Sequence, residues 1–154
     1  MTGLIDQRLA DLGITLPDAP PPAASYVPTV QSGSLVFISG QISQLDGALI
    51  QGKLGQDMDL AAGALAARAC GLSLLAQMKR ACGGDLDRVA RVVKLTGFVN
   101  STPGFTDQPK VINGCSDLLV EVFGDAGRHA RSAVSAPSLP LGVAVEVEAI
   151  IELR

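Results

Sequence analysis

An arginine and two glutamates are the residues of this chain whose types and spacing most directly suggest chemistry. They lie in the segment ARSAVSAPSLPLGVAVEVE, residues 130–148. A guanidinium at Arg131 can hold a carboxylate through two parallel hydrogen bonds, and a carboxylate at Glu146 or Glu148 can position or deprotonate a water. From Val143 to Leu153 the residues alternate, with Val143, Val145, Val147, Ala149, Ile151 and Leu153 on one face and Glu146, Glu148 and Glu152 on the other. That period of two predicts a strand with one face in the core. Arg131 falls in a second β-prone stretch, Arg131 to Val134, set apart by Pro137 and Pro140, which suit a connection between strands. From the residues alone two roles for Arg131 stand level: an anchor for an incoming carboxylate, or an internal ion-pair partner of Glu146 or Glu148.

The elements that must place these residues can be read along the chain. Leu4, Ile5, Leu9 and Leu12 form one stripe over residues 3–12, with Gly13 as a stop, which predicts a short amphipathic helix. It is expected to dock on its own core, because Pro17 to Pro22 follows as a stiff connector. Val27 to Gln31 and Leu35 to Ser39 predict a hairpin around Ser32-Gly33-Ser34, and Asp46-Gly47 marks a second tight turn. From Asp57 the pattern becomes helical, with Asp57 or Asp59 as cap and Gly83-Gly84 as end, a length of about 39 Å. Leu60, Ala64, Leu72, Leu75 and Met78 are expected along its packed side. Val89 to Val99 reads as a strand and Pro109 to Phe123 as a second helix. The order β-β-α-β-α-β implies a single α+β domain, a mixed sheet with two long helices on one face.

Composition narrows the function classes. At 154 residues the chain is the size of one domain and buries roughly 68–70% of its extended surface. Aromatics are only 3% of the residues and Trp is absent, so packing falls to Ala, Val, Leu and Ile, helped by 17 glycines. A net charge of −3 offers no basic field to a nucleic acid. Cys70, Cys82 and Cys115 make neither a disulfide framework nor a Cys-x-x-Cys pair, and Cys70 and Cys82, within an expected helix, read as small buried hydrophobes; with one His besides, no metal-ligand set exists. No stretch reads as a leader or membrane span, and a cytoplasmic setting is expected.

The Arg131-Ser132 pair, the Leu139-Pro140 turn and the alternating strand with Glu146 resemble the signature of the YjgF/RidA family. So do Ser25-Tyr26-Val27-Pro28, Leu35 to Ile42 with its Ser39-Gly40-Gln41-Ile42 turn, and Val111-Ile112-Asn113, which fall in the family's order over about residues 23–154. The resemblance divides the chain into an N-terminal helix and connector, 1–22, found in a longer subgroup, and the family domain, 23–154. It implies a chorismate-mutase-like fold and a homotrimer with ligand clefts between subunits. It also implies hydrolytic deamination of 2-enamino or 2-imino acids to ammonia and a 2-oxo acid without cofactor or metal. In that reading Arg131 clamps the substrate carboxylate, Glu146 orients water, and Tyr26, Ser39, Gly40 and Asn113 line the cleft. Bland alternatives stand beside these: Tyr26 burying a ring edge, Ser39 shaping a turn, Asn113 capping a helix.

Two departures from the family pattern mark this chain. His129 stands where members usually carry Pro, sharing a face with Arg131 in an extended backbone, as a pocket modifier or a packing residue. Ala133 stands where many have Cys, so no thiol nucleophile is expected there, and Ser132 has no evident relay partner. The rival functions are a non-catalytic carboxylate-binding or regulatory protein of the same fold and an endoribonuclease or translation inhibitor, which the acidic charge disfavours.

Overall fold

The computed structural model describes residues 2–19 and 24–154. Three helices and seven strands follow one another as α1 (Leu4–Asp11), β1 (Thr29–Ser32), β2 (Leu35–Ile42), β3 (Gln44–Leu45), β4 (Ala48–Leu49), α2 (Leu60–Ala81), β5 (Val89–Asn100), α3 (Gln108–Phe123), β6 (Ala130–Ala136) and β7 (Val145–Leu153). The main sheet has the order β1-β2-β7-β5-β6, antiparallel except for the parallel pair β5 and β6 joined through α3. The last strand therefore inserts between β2 and β5, its two neighbours pairing along most of its length. β3 and β4 form a separate hairpin whose turn, Asp46-Gly47, has positive φ at both positions, as a tight two-residue turn requires.

The alternation of β7 does what the sequence predicts. Val145, Val147, Ala149, Ile151 and Leu153 are buried while Glu148 is exposed and Glu146, Ile150 and Glu152 are half-buried. α2 and α3 cover the buried face, and the core is made from Leu74, Leu75, Met78, Leu95, Ile112, Leu118, Leu119 and Ile151. Among the described residues no helix covers the opposite face. There, strand pairing aligns Val30, Phe37, Ile150 and Lys94 in one row and Glu146, Phe98 and Val134 in another, with Val30, Phe37 and Val134 exposed.

α2 differs in detail from its expected form. Asp59 caps it through Ala62 N, so it starts at Leu60 and its 22 residues span about 33 Å. Leu75 and Met78 are buried as expected, but Leu60 is exposed and Ala64 and Leu72 are only partly covered; Gly63, Ala66, Ala67, Cys70, Leu74 and Gln77 complete the buried side. The cause is the crossing with α3, which approaches so closely that a Cβ on Gly114 would lie 2.0 Å from Ala64 O. Small residues, not the leucines, mark that contact. α2 is long and apolar enough to cross a membrane by length and composition, but 61% of its most apolar window is buried inside the protein.

α1 is docked. Asp87 accepts from Leu4 N and Ile5 N, both at 2.9 Å, closing the helix start from a distant part of the chain; Lys79 pairs with Asp6 at 3.0 Å, and Leu9 enters the core. The connector continues with Ile14 and Leu16 packed on the core, and its Pro20–Pro22 portion lies outside the described residues. All three cysteines are free and buried.

Candidate functional site

Arg131 is placed by two elements. The parallel register sets it opposite Leu95, on the helix side of edge strand β6, and α3 runs past that side with Asn113 and Ser116 three residues apart on one helical face. The Arg131 Nη1 donates to Asn113 Oδ1 at 2.8 Å and to Ser116 Oγ at 3.2 Å. Ser116 Oγ lies 2.9 Å from His129 Nε2, and His129 Nδ1 lies 2.6 Å from Gly127 O. A carbonyl only accepts, so Nδ1 carries the proton; in the neutral ring Nε2 then accepts from the Ser116 hydroxyl, which leaves the serine lone pairs facing the guanidinium. His129 thus orients Ser116, and Ser116 orients Arg131.

No acid neutralises this cation among the described residues. The ion pairs there are Arg68–Glu121, Lys79–Asp6, Lys110–Asp107 and Arg128–Asp125. Arg131 is half-buried, and both of its side-chain bonds leave from Nη1, so Nη2 and Nε keep donors for an incoming oxyanion.

Glu146 lies elsewhere. It borders a pocket of about 350 Å³ together with Tyr26, Ser39, Gly40, Gln41 and Gln77. Burial, and then the Glu148 carboxylate on the same strand, hold its carboxyl above the usual range. Gly40 makes room for it: a Cβ there would stand 2.8 Å from Glu146 Oε1. Gly40 falls in the irregularity between Ile38 and Gln41, where β2 bulges against β7. The Ser39 hydroxyl donates to Val27 O at 2.9 Å and fastens the segment carrying Tyr26, which is 59% exposed beside the pocket. Ser39 lies within β2 rather than shaping a turn, and Asn113, in the body of α3, does not cap it but receives Arg131.

The two halves do not meet within one chain. Arg131 shares its row with Leu95, Ala149 and Ile38 on the helix side, whereas Glu146 shares its row with Phe98 and Val134 on the uncovered side. Two strand spacings and three residues along the strands separate them, roughly 14 Å between Cα atoms. The internal Arg131–Glu146 ion pair, one of the two roles open from sequence, is therefore absent. Ser116 and Gln77 were not among the candidates from sequence. Ser116 was findable as the helix neighbour of Asn113, and Gln77 as the polar residue in the buried stripe of α2.

The arrangement of five-stranded mixed sheet, two covering helices and a rim arginine defines a chorismate-mutase-like α+β protein with an anion-ready site. Residues 6–153 match the family described as "YjgF/chorismate mutase-like, putative endoribonuclease". The chain belongs to this YjgF/RidA family. It is 51% identical over 155 residues to Protein TCP17 of Trypanosoma cruzi, covering 99% of this chain and 96% of that protein. A 2-iminobutanoate/2-iminopropanoate deaminase of Dermatophagoides farinae is 28% identical, with 92% and 95% covered. The crystal structure of Atu1372 from Agrobacterium tumefaciens superposes with a TM-score of 0.91 at 46% identity, over 97% of this chain and 92% of that one.

Proposed function

We propose that this protein is a hydrolytic deaminase of reactive 2-enamino and 2-imino acids, releasing ammonia and a 2-oxo acid, and that it works as a homotrimer. The observation that carries the reading is the Arg131 guanidinium, held by two neutral oxygens with its remaining donors unclaimed by any acid. Those donors fit a substrate carboxylate bidentately. Glu146 supplies the second function. Its ionised carboxylate accepts a proton from a water as that water attacks C2 of the iminium; protonation of the nitrogen and collapse of the carbinolamine release ammonia and leave the C2 carbonyl. Protonation at C3 brings an enamine into the same path.

The distance between Arg131 and Glu146 supports the trimer. A substrate that touches both needs the α3–β6 rim of one subunit set against the uncovered sheet face of another, and that face carries Val30, Phe37, Phe98, Ile150 and Val134, apolar side chains that call for a partner. The test generates 2-imino acids in situ with an L-amino-acid oxidase and follows their decay by semicarbazide trapping. The protein is expected to suppress trapping, and Arg131→Ala to abolish the effect while the trimer persists. Binding of small 2-oxo acids without any turnover would favour a carboxylate sensor instead.

A further inference from the structure

The turn between β6 and β7 holds a residue that its backbone does not suit. Leu141 has φ 60° and ψ 14°, at the third position of the four-residue turn that Gly142 N closes on Leu139 O at 3.0 Å. Gly or Asn is the ordinary choice at such a position, and a bulky side chain there is strained. Gln51 pins it, its Nε2 donating to Leu141 O at 2.7 Å. Burial of the leucine does not offset that strain, since Leu141 is 66% exposed. What it borders is the pocket of about 350 Å³ that also holds Glu146. Tyr26, 59% exposed, borders the same pocket, with Pro28 and Ile42 as further apolar lining, and Glu146 is the one charged residue around it among those described. Its polar neighbours Ser39 and Gln41 each spend a donor on a backbone carbonyl, of Val27 and of Ser39.

Resting on the deaminase reading, we infer that Leu141 is the specificity-determining residue of this pocket and, with Tyr26, selects 2-imino acids whose side chain is apolar and longer than a methyl, of the leucine and norleucine kind. With the carboxylate on Arg131 of a neighbouring subunit and C2 beside Glu146, such a side chain lies along the rim where the two exposed apolar residues stand, and it covers them from water as they cover it. Each methylene buried in this way favours the substrate by about fourfold, a gain that a methyl is too short to make. A side chain ending in a carboxylate meets Glu146 instead. Substrate selection then accounts for a leucine at a backbone position that glycine would fill without strain.

The experiment compares kcat/KM for the imino acids that amino-acid oxidases generate from leucine and norleucine with that for the one generated from alanine. The wild-type protein is expected to favour the two larger substrates by about tenfold or more. Leu141→Gly should bring that preference below about threefold, the loss falling on the larger substrates, while relief of the strained backbone leaves Tm unchanged or raises it by up to about 4 °C. Leu141→Met keeps an apolar side chain of similar volume and should retain the preference. Equal wild-type rates on the larger and smaller substrates, or an unchanged preference in a folded Leu141→Gly protein, would overturn the assignment. Loss of subunit assembly in Leu141→Gly, read by mass, would also overturn it and make Leu141 an interface residue. Absence of turnover for all three substrates would instead overturn the deaminase reading. In that event calorimetry still decides the role of Leu141, which requires 4-methyl-2-oxopentanoate to bind the wild-type protein more tightly than pyruvate does and to lose that advantage in Leu141→Gly.

Discussion

Gly40→Ala separates the position of Glu146 from the stability of the fold. The added Cβ would lie 2.8 Å from Glu146 Oε1, 3.0 Å from Cδ and 3.1 Å from Cγ, where ordinary contact begins at 3.4 Å. The carboxylate must therefore withdraw by roughly 0.6 Å, and misplacement on that scale lowers a positioned reaction by about 10- to 100-fold. The backbone has no objection, since Gly40 is not among the residues of positive φ. Gly→Ala at such a position stabilises by about 0.4–1 kcal/mol through the unfolded chain, which raises Tm by up to about 4 °C in a domain of this size. The expected outcome is thus a loss in kcat with little change in KM and with Tm unchanged or higher, read by imine trapping and by calorimetric melting. A variant that is fully active and equally stable would refute the placement of Glu146 at the reacting centre.

Four further outcomes follow from the same geometry. Ser116→Ala removes one hydrogen bond from Arg131 and leaves His129 Nε2 unpaired, so KM for carboxylate substrates should rise about fivefold, the equivalent of roughly 1 kcal/mol, with kcat little changed. Because burial and then Glu148 raise the Glu146 carboxyl, the acid limb of the pH–rate profile should lie above the ordinary carboxylate range, and Glu148→Gln should move it to lower pH. The linkage has the matching sign: a carboxyl raised on folding lowers stability as pH climbs through its folded value, so Glu146→Gln should be less destabilising at neutral pH than at pH 4. Asp87, lowered by its bonds from Ile5 N and Leu4 N, holds α1 above the ordinary carboxylate range of pH and lets go as pH falls through its depressed value; amide exchange at Leu4 and Ile5 should accelerate there before the rest of the chain.

Much of the fold was legible because β7 alternates without interruption and because turn residues sit where the chain reverses, at Gly33-Ser34 and Asp46-Gly47. Arg131, Glu146, Tyr26, Ser39, Gly40 and Asn113 were legible as candidates because they occur in the family's order. Their grouping was not. Which face of the sheet Arg131 occupies depends on the parallel register of β6 on β5, a tertiary fact that no local pattern encodes. The chain from Arg131 through Ser116 to His129 and Gly127 O likewise needs α3 laid against the end of β6. The packed side of α2 was read correctly at Leu75 and Met78 and missed at Leu60, Ala64 and Leu72, because a Leu-based stripe was sought where glycine and alanine set the closest approach.

Co-assembly of two inactive variants tests the central claim most directly. Arg131→Ala and Glu146→Gln subunits, mixed in equal amounts and allowed to exchange, place an intact arginine beside an intact glutamate at about one quarter of the interfaces of a cyclic trimer. The account predicts that roughly this share of wild-type imine hydrolysis returns. Mixed assemblies that form, as shown by mass, and remain without activity would contradict a site built from Arg131 of one subunit and Glu146 of its neighbour.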